Sequence, residues 1–357
     1  MSLASVRIAD LIRLARGRGA SDLHLGTAER PALRVDGRLL HLEGPPLDAD
    51  GMAEYLHAQF SAAQLARFDA HGSADAAALA DADGAPFRVH AFRHAGGTRV
   101  AIRLLATAVP ALEELGLPAV VGTLAERQVV LVVFTGPTGS GKTTALAALV
   151  DRINRGSERN ILTVEDPVEY VHRPLRSLIT HCEVGRDVCG YADALRALLR
   201  ADPDVILVGE LRDAPTMEAA LAAAETGHLV LTTLHTADAA QSVERIADAF
   251  PAGAHGQVRA QLASVALAVV ALRLVPRRAG GRIAVAEVLI ATDAVRALIR
   301  EGKTHQLRNA IVTGRAAGMQ TLEAHLAERV ARGEIAPADA RAAALRPDEL
   351  RLAEQVS

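Results

Sequence analysis

From residue 129 onward the chain alternates apolar runs with helix-forming segments. VVLVVF (129–134), NILTV (160–164), DVILV (204–208) and HLVLTTL (228–234) are each followed by a stretch with helical character. Strands that are apolar on both faces belong in a parallel sheet covered by helices on both sides, so this pattern predicts an α/β core. The first hundred residues read differently. Val6, Ile8, Leu11, Ile12 and Leu14 suit one face of a helix over 5–16. Alternating runs at ASDLHLG (20–26), ALRVDGRLL (32–40), APFRVHAF (85–92) and TRVAIRLL (98–105) predict antiparallel strands, with VDGR turning a hairpin. A helix is predicted over 52–70. Together these predict a small α+β unit ending near Ala106. ATAVPALEELGLP (106–118) carries two prolines and a glycine and predicts a linker. From about Pro251 the pattern predicts a mostly helical tail.

Composition narrows the picture. A chain of 357 residues has room for two domains. Half of it is hydrophobic, but aromatics are 3% and tryptophan is absent, so the core must be built from Ala, Val, Leu and Ile. The formal net charge is -3, and neither a basic stripe nor interleaved stacking aromatics are evident, which argues against a nucleic-acid partner. No run reaches the ~18 apolar residues of a membrane span; the longest, Leu262 to Leu272, is closed by Arg273. Arg7, Asp10 and Arg13 interrupt the N-terminus, so it has no signal-peptide core and a cytoplasmic location is expected. Cys182 and Cys189 are too few for a disulfide framework or a four-cysteine zinc site and read as ordinary reduced thiols, even with His181 adjacent.

Of the 39 lysines and arginines only Lys142 and Lys303 are lysine. Lys142 lies in GPTGSGKT, which fits G-x-x-x-x-G-K-[ST] between an apolar strand and a helix-forming run. In such a loop Gly136, Pro137, Thr138, Gly139, Ser140 and Gly141 turn backbone N–H groups inward around a phosphate chain. The helix that follows presents its positive end to the same anion. Lys142 then reaches the β- and γ-phosphates, Thr143 Oγ ligates Mg²⁺, and Thr144 completes the loop, which predicts ATP as ligand. A compact ammonium contacts two phosphates where a planar guanidinium does not fit, and that explains a lysine in an arginine-rich chain.

A nucleotide on a parallel sheet lies beyond the carboxyl ends of its strands. Glu165 and Asp166 follow the strand ending at Val164, and Glu210 follows the one ending at Val208. Asp166, before Pro167, reads as a turn residue. Two readings of Glu165 and Glu210 stay open: solvated residues at loop starts, or the carboxylates that orient water and face Mg²⁺ in phosphoryl transfer to water. His228 and His235 bracket the fourth apolar strand, with His235 on the phosphate side, placed either to sense the γ-phosphate or to hold Glu210.

With these motifs in order, the chain resembles the secretion-superfamily hexameric ATPases, most closely the type IV pilus retraction ATPases of the PilT/PilU type. VEDPVEYVH resembles the family's Asp box, ALRALLRADPDVILVGELRD its Walker B region, and AAETGHLVLTTLHT its His box; ASDLHLG, EELGLP and GMQTLEAHL extend the likeness over nearly the whole chain. The resemblance implies a PAS-like N-terminal domain over 1–106, a linker over 107–122, a RecA-like ATPase core over 123–290 and a helical region over 291–357. It implies Mg²⁺-dependent ATP hydrolysis in a homohexamer that powers pilus retraction and twitching motility. The partner would be an inner-membrane platform protein, with membrane association only through it. Glu165 matches the family's general base, Glu210 its Walker B carboxylate, and His228 and His235 its His-box pair. Arginine fingers come from the N-terminal domain, where Arg88 and Arg103 match best and Arg93 and Arg99 stay open. LRLVPRRAGGRIAVAEVL (272–289) lacks the four-cysteine zinc module of extension and secretion ATPases. AVRALIREGK (294–303) keeps Arg296, Arg300 and Glu301 of the retraction helix but departs at Val295 and Ala297. The alternative is a pilus assembly or type II secretion ATPase without the zinc module.

Overall fold

A computed structural model describes residues 3–35, 38–81, 84–105 and 108–352. Two units emerge from the contacts, Met1–Ala108 with Pro167–Val171, and Val109–Asp166 with His172–Ser357.

The first unit holds α1 (Leu3–Gly17), β1 (Asp22–Gly26), β2 (Ala32–Val35), β3 (Arg38–His41), α2 (Ala49–Gln59), α3 (Ala62–His71), β4 (Ser73–Ala80), β5 (Pro86–His94) and β6 (Gly97–Leu104). Its antiparallel sheet runs β3-β2-β1-β6-β5-β4. Alternation gives the two faces opposite character. Leu23, Leu33, Val89, Val100 and Ile102 pack with Ile8, Met52, Leu56 and Phe68 from the helices. On the other face Arg34, Asp22, Arg103 and Arg88 stand in register across four strands.

One expectation for this unit changes, and one strand is added. The single helix over 52–70 is two helices, because Ser61 and Gln64 form a reciprocal capping box that starts α3 afresh. Strand β4, an alanine-rich run with weak strand propensity, forms because β5 pairs with it. Asp36 and Gly37 of the VDGR turn, and Ala106 at the expected boundary, lie outside the described residues.

The second unit carries a seven-stranded sheet in the order β13-β12-β7-β11-β10-β8-β9. Its strands are β7 (Val130–Thr135), β8 (Asn160–Glu165), β9 (Leu178–Glu183), β10 (Val205–Val208), β11 (Leu229–Thr233), β12 (Leu267–Pro276) and β13 (Arg282–Ile290). All pairs are parallel except β12 with β13. Alternate residues of one strand feed two separate cores, Leu131 and Val133 on one face, Val130, Val132 and Phe134 on the other. The second face is covered by α4 (Ala119–Thr123) and α5 (Lys142–Gly156). Leu195 of α6 (Tyr191–Leu198), Met217 and Leu221 of α7 (Ala214–Glu225), Val243 and Ile246 of α8 (Ala239–Asp248) and Leu262 of α9 (His255–Ser264) cover the first.

Residues 108–126 are more than a tether, since Leu112, Val121 and Leu124 are buried in the same core as α5. The tail beyond Pro251 is not mostly helical until residue 293. The β12–β13 hairpin intervenes, its apolar residues buried on both faces where periodicity cannot separate strand from helix. α10 (Asp293–Arg300), α11 (Leu307–Thr313), α12 (Leu322–Ala331) and α13 (Pro337–Ala343) follow. Among the described residues no helix is long and apolar enough to cross a membrane.

Candidate active site

In-register parallel pairing brings the carboxyl ends of β7, β8, β10 and β11 to one edge. Val208 pairs with Val164 and with Thr232, and Thr233 pairs with Phe134. Residues at or within two positions of those ends, Gly136, Glu165, Glu210 and His235, therefore gather there. Backbone bonds tie the loops together: Gly209 N–H donates to Val164 O, Leu211 N–H to Thr233 O, and Leu234 N–H to Phe134 O. The Thr233 hydroxyl also donates to Gly209 O at 2.6 Å.

The GPTGSGKT loop leaves β7 and enters α5. Gly136 has φ 137°, and a Cβ there would lie 2.4 Å from Leu272 O and 2.7 Å from Ser140 Oγ. The chain takes this path because the position has no side chain. Gly139, with φ 78°, faces open space. Lys142 folds back over the loop and donates to Gly136 O at 2.8 Å and Pro137 O at 3.1 Å. It is buried, and desolvation holds its ammonium below the ordinary lysine value. A buried cation resting on two carbonyls is poised to exchange them for stronger anionic acceptors. Thr143 and Thr144 follow in the first turn of α5, both half-buried.

The two glutamates are held in different ways. Glu165 is buried at the end of β8 and accepts from Thr163 Oγ1 at 2.8 Å. Glu210 is ion-paired through Oε1 with Arg212 Nε, and its Oε2 lies 3.0 Å from His235 Nε2. Arg212 also reaches Asp166 Oδ2 at 3.2 Å, so one guanidinium links the loops after β8 and β10. Partial burial, then the positive charges of Lys142 and Arg212, keep His235 below the ordinary histidine value. Lys142 is thus within electrostatic reach of His235.

A cavity of about 460 Å³ adjoins the loop, lined by Pro137, Thr138, Arg273, Leu274, Arg282 and Asp339 among others. A larger one of about 530 Å³ surrounds the far end of α5, away from the strand ends. Its Arg152 pairs with Glu113 and its Arg155 with Asp151.

His228 does not join the cluster. It precedes β11 at the opposite edge of the sheet, roughly 16 Å away along a five-residue strand. Its Nδ1 lies 2.9 Å from Ala223 O and 3.1 Å from Thr226 Oγ1, contacts that cap the end of α7. In the first unit, Arg88 donates to Pro167 O and Val168 O, and its side chain is 17% exposed. Arg103 donates to Asp22 Oδ1 at 3.1 Å and is 65% exposed. Arg93 pairs with Asp69 and Arg99 with Glu29. Three residues escaped the sequence reading as site residues: Arg212, two positions after Glu210; Thr163, on the same face as Glu165; and His181, on the unpredicted strand β9.

The Type II/IV secretion system protein family is matched over residues 5–280. The chain belongs to this family. It is also 41% identical to the type IV pilus retraction ATPase PilT of Pseudomonas aeruginosa, over 96% of this chain and 99% of that one. The type IV pilus ATPase PilU of the same organism is 39% identical over 96% of this chain and 90% of its own length. The crystal structure of the pilus retraction motor PilT with bound ADP superposes with a TM-score of 0.89 at 39% identity, covering 96% of this chain and 98% of that one. The protein is therefore a RecA-like P-loop ATPase of the pilus and secretion type, and it binds nucleotide.

Proposed function

We propose that this ATPase powers type IV pilus retraction as a homohexamer at the cytoplasmic face of the inner membrane, working on a platform protein of the pilus machine. The likeness to a pilus retraction ATPase over nearly the full length of both chains carries the reading. The β12–β13 hairpin supports it against the secretion alternative: β12 turns into β13 over residues 277–281 with no inserted module.

In this reading the loop N–H groups and Lys142 hold the phosphates, and the cavity beside Thr138 and Arg282 takes the nucleoside. Glu165 accepts a proton from the attacking water, and His235 steers Glu210. Thr143 Oγ, in the loop, and Glu210, on the same strand-end edge, are the hard oxygen donors that suit Mg²⁺. When bound with the nucleotide, Mg²⁺ supplies a Lewis acid that draws charge from the phosphate oxygens. The exposure of Arg103 supports it, ahead of Arg88, as the finger delivered to a neighbouring subunit.

Deletion of the gene tests the proposal. The expected result is cells that stay piliated and lose twitching. Pili that still retract normally overturn it, and loss of pili or of a secreted protein favours the assembly or secretion alternative.

A further inference from the structure

Behind Glu165 lies a hydrogen-bonded chain through Thr163 and His181, two residues outside the ATPase motifs. Strand β9 pairs in parallel with β8, and its register sets His181 opposite Thr163. His181 Nδ1 lies 2.9 Å from Thr163 Oγ1, which lies 2.8 Å from Glu165 Oε1. On the other side, the His172 backbone N–H points at His181 Nε2 from 3.1 Å. The His172 ring stacks on the His181 ring at 5.8 Å between centroids. Thr163 and His172 are buried, and the His181 and Glu165 side chains are 14% and 11% exposed.

The direction of this chain is set by one group. A backbone N–H can only donate, so His181 Nε2 accepts and the proton of the neutral ring sits on Nδ1. Nδ1–H then donates to Thr163 Oγ1, and the threonine proton is directed to Glu165 Oε1. We infer that His181 and Thr163 are positioning residues that hold Glu165 by Oε1 and leave Oε2 to accept the proton of the attacking water. The inference rests on the reading of Glu165 as general base. A carboxylate held by one neutral hydroxyl keeps its rotamer without an ion-pair partner competing for its charge. Misplacing a reacting group by about 1 Å costs about 100-fold in rate.

Turnover and ADP binding of the full-length protein test this. Thr163→Val keeps the side-chain shape and removes the hydroxyl; it should lower kcat about 10- to 100-fold and leave the Kd for ADP within about twofold. His181→Phe should do the same. Thr163→Ser and His181→Gln, which retain a donor and an acceptor, should restore most of the rate. Added to Glu165→Gln, Thr163→Val should have no further effect. Normal kcat in Thr163→Val beside an inactive Glu165→Gln overturns the relay and leaves the base reading standing. Normal turnover by Glu165→Gln removes the base reading and the relay with it. If Thr163→Val and His181→Phe lose ADP binding along with turnover, the two residues hold the fold and not the carboxylate, and the inference fails.

Discussion

Gly136 and Gly139 lie three residues apart in one loop, and both have positive φ, yet the structure assigns them different costs of substitution. At Gly136 an added Cβ would sit 2.4 Å from Leu272 O and 2.7 Å from Ser140 Oγ. Leu272 belongs to β12, held between β7 and β13, so its carbonyl cannot give way without moving the sheet. Unfavourable φ costs about 1–3 kcal/mol and overpacking a further 1–3, which puts Gly136→Ala at about 2–6 kcal/mol. At Gly139, with φ 78° and nothing within 4 Å, only the backbone term applies, about 1–2 kcal/mol. With urea slopes of about 1–3 kcal/mol per molar, Gly136→Ala should unfold at a midpoint lower than Gly139→Ala by about 1 M. The measurement is urea unfolding at one protein concentration without nucleotide, because a ligand that binds only the folded state masks the difference. Equal midpoints, or a lower midpoint for Gly139→Ala, would refute the crowding argument.

Two other perturbations test separate parts of the structure. Arg103→Ala should lower kcat by about 10³-fold or more with an unchanged unfolding midpoint, whereas Arg88→Ala, losing its bonds to Pro167 O and Val168 O, should first lower the midpoint of the N-terminal unit. Mixing Arg103→Ala with Lys142→Ala subunits should recover part of the ATPase activity, and no recovery refutes delivery between subunits. Burial holds His172 at about 4; burial, then Arg329, holds His325 at about 4. Both lie below the ordinary value of 6.5, so the unfolded chain binds more protons as pH falls from 6.5 toward 4, and stability present above that window drains away within it. Each histidine is worth about 3 kcal/mol over the whole window and about 2 by pH 5. His325→Gln should therefore show a shallower loss of urea midpoint between pH 7 and 5, and an unaltered pH slope would refute the assignment.

The ends of β7, β8, β10 and β11 were legible within a residue or so because their apolar runs give way to Thr135, Glu165, Gly209 and His235. Glu165, Glu210 and His235 could thus be placed on one edge before any pairing was known. The capping box at Ser61 and Gln64 was also written in the sequence, yet continuous helical spacing across Phe60 concealed it. Other features were not legible for physical reasons. β9 is an edge strand whose Thr180, His181 and Cys182 carry no apolar period, and it exists because β8 supplies a partner. The contact between His181 and Thr163 depends on that pairing, which no local pattern encodes. His228 belongs with His235 only through the family resemblance, since a histidine pair bracketing a strand faces opposite ends of the sheet and only one end carries the phosphates.

The way each carboxylate is held also separates roles that residue type leaves open. Glu210 shares its charge with Arg212 and with His235, and Arg212 extends to Asp166. An acid so engaged is tied to a fixed cation, Arg212, which suits a group that faces a metal ion and exchanges one positive partner for another as nucleotide arrives. Glu165 is held through a hydroxyl, and the nearest ring, His181, has the tautomer that leaves it neutral. Among the described residues no lysine or arginine pairs with it, which suits a group that must take a proton from water. The same logic applies to the cations. Lys142 is the compact charge that fits inside the loop, while the wide arginine forks work where there is room for them, at Arg212 between two loops and at Arg103 on an open sheet face. The near-absence of lysine elsewhere in the chain makes that division visible at a single position.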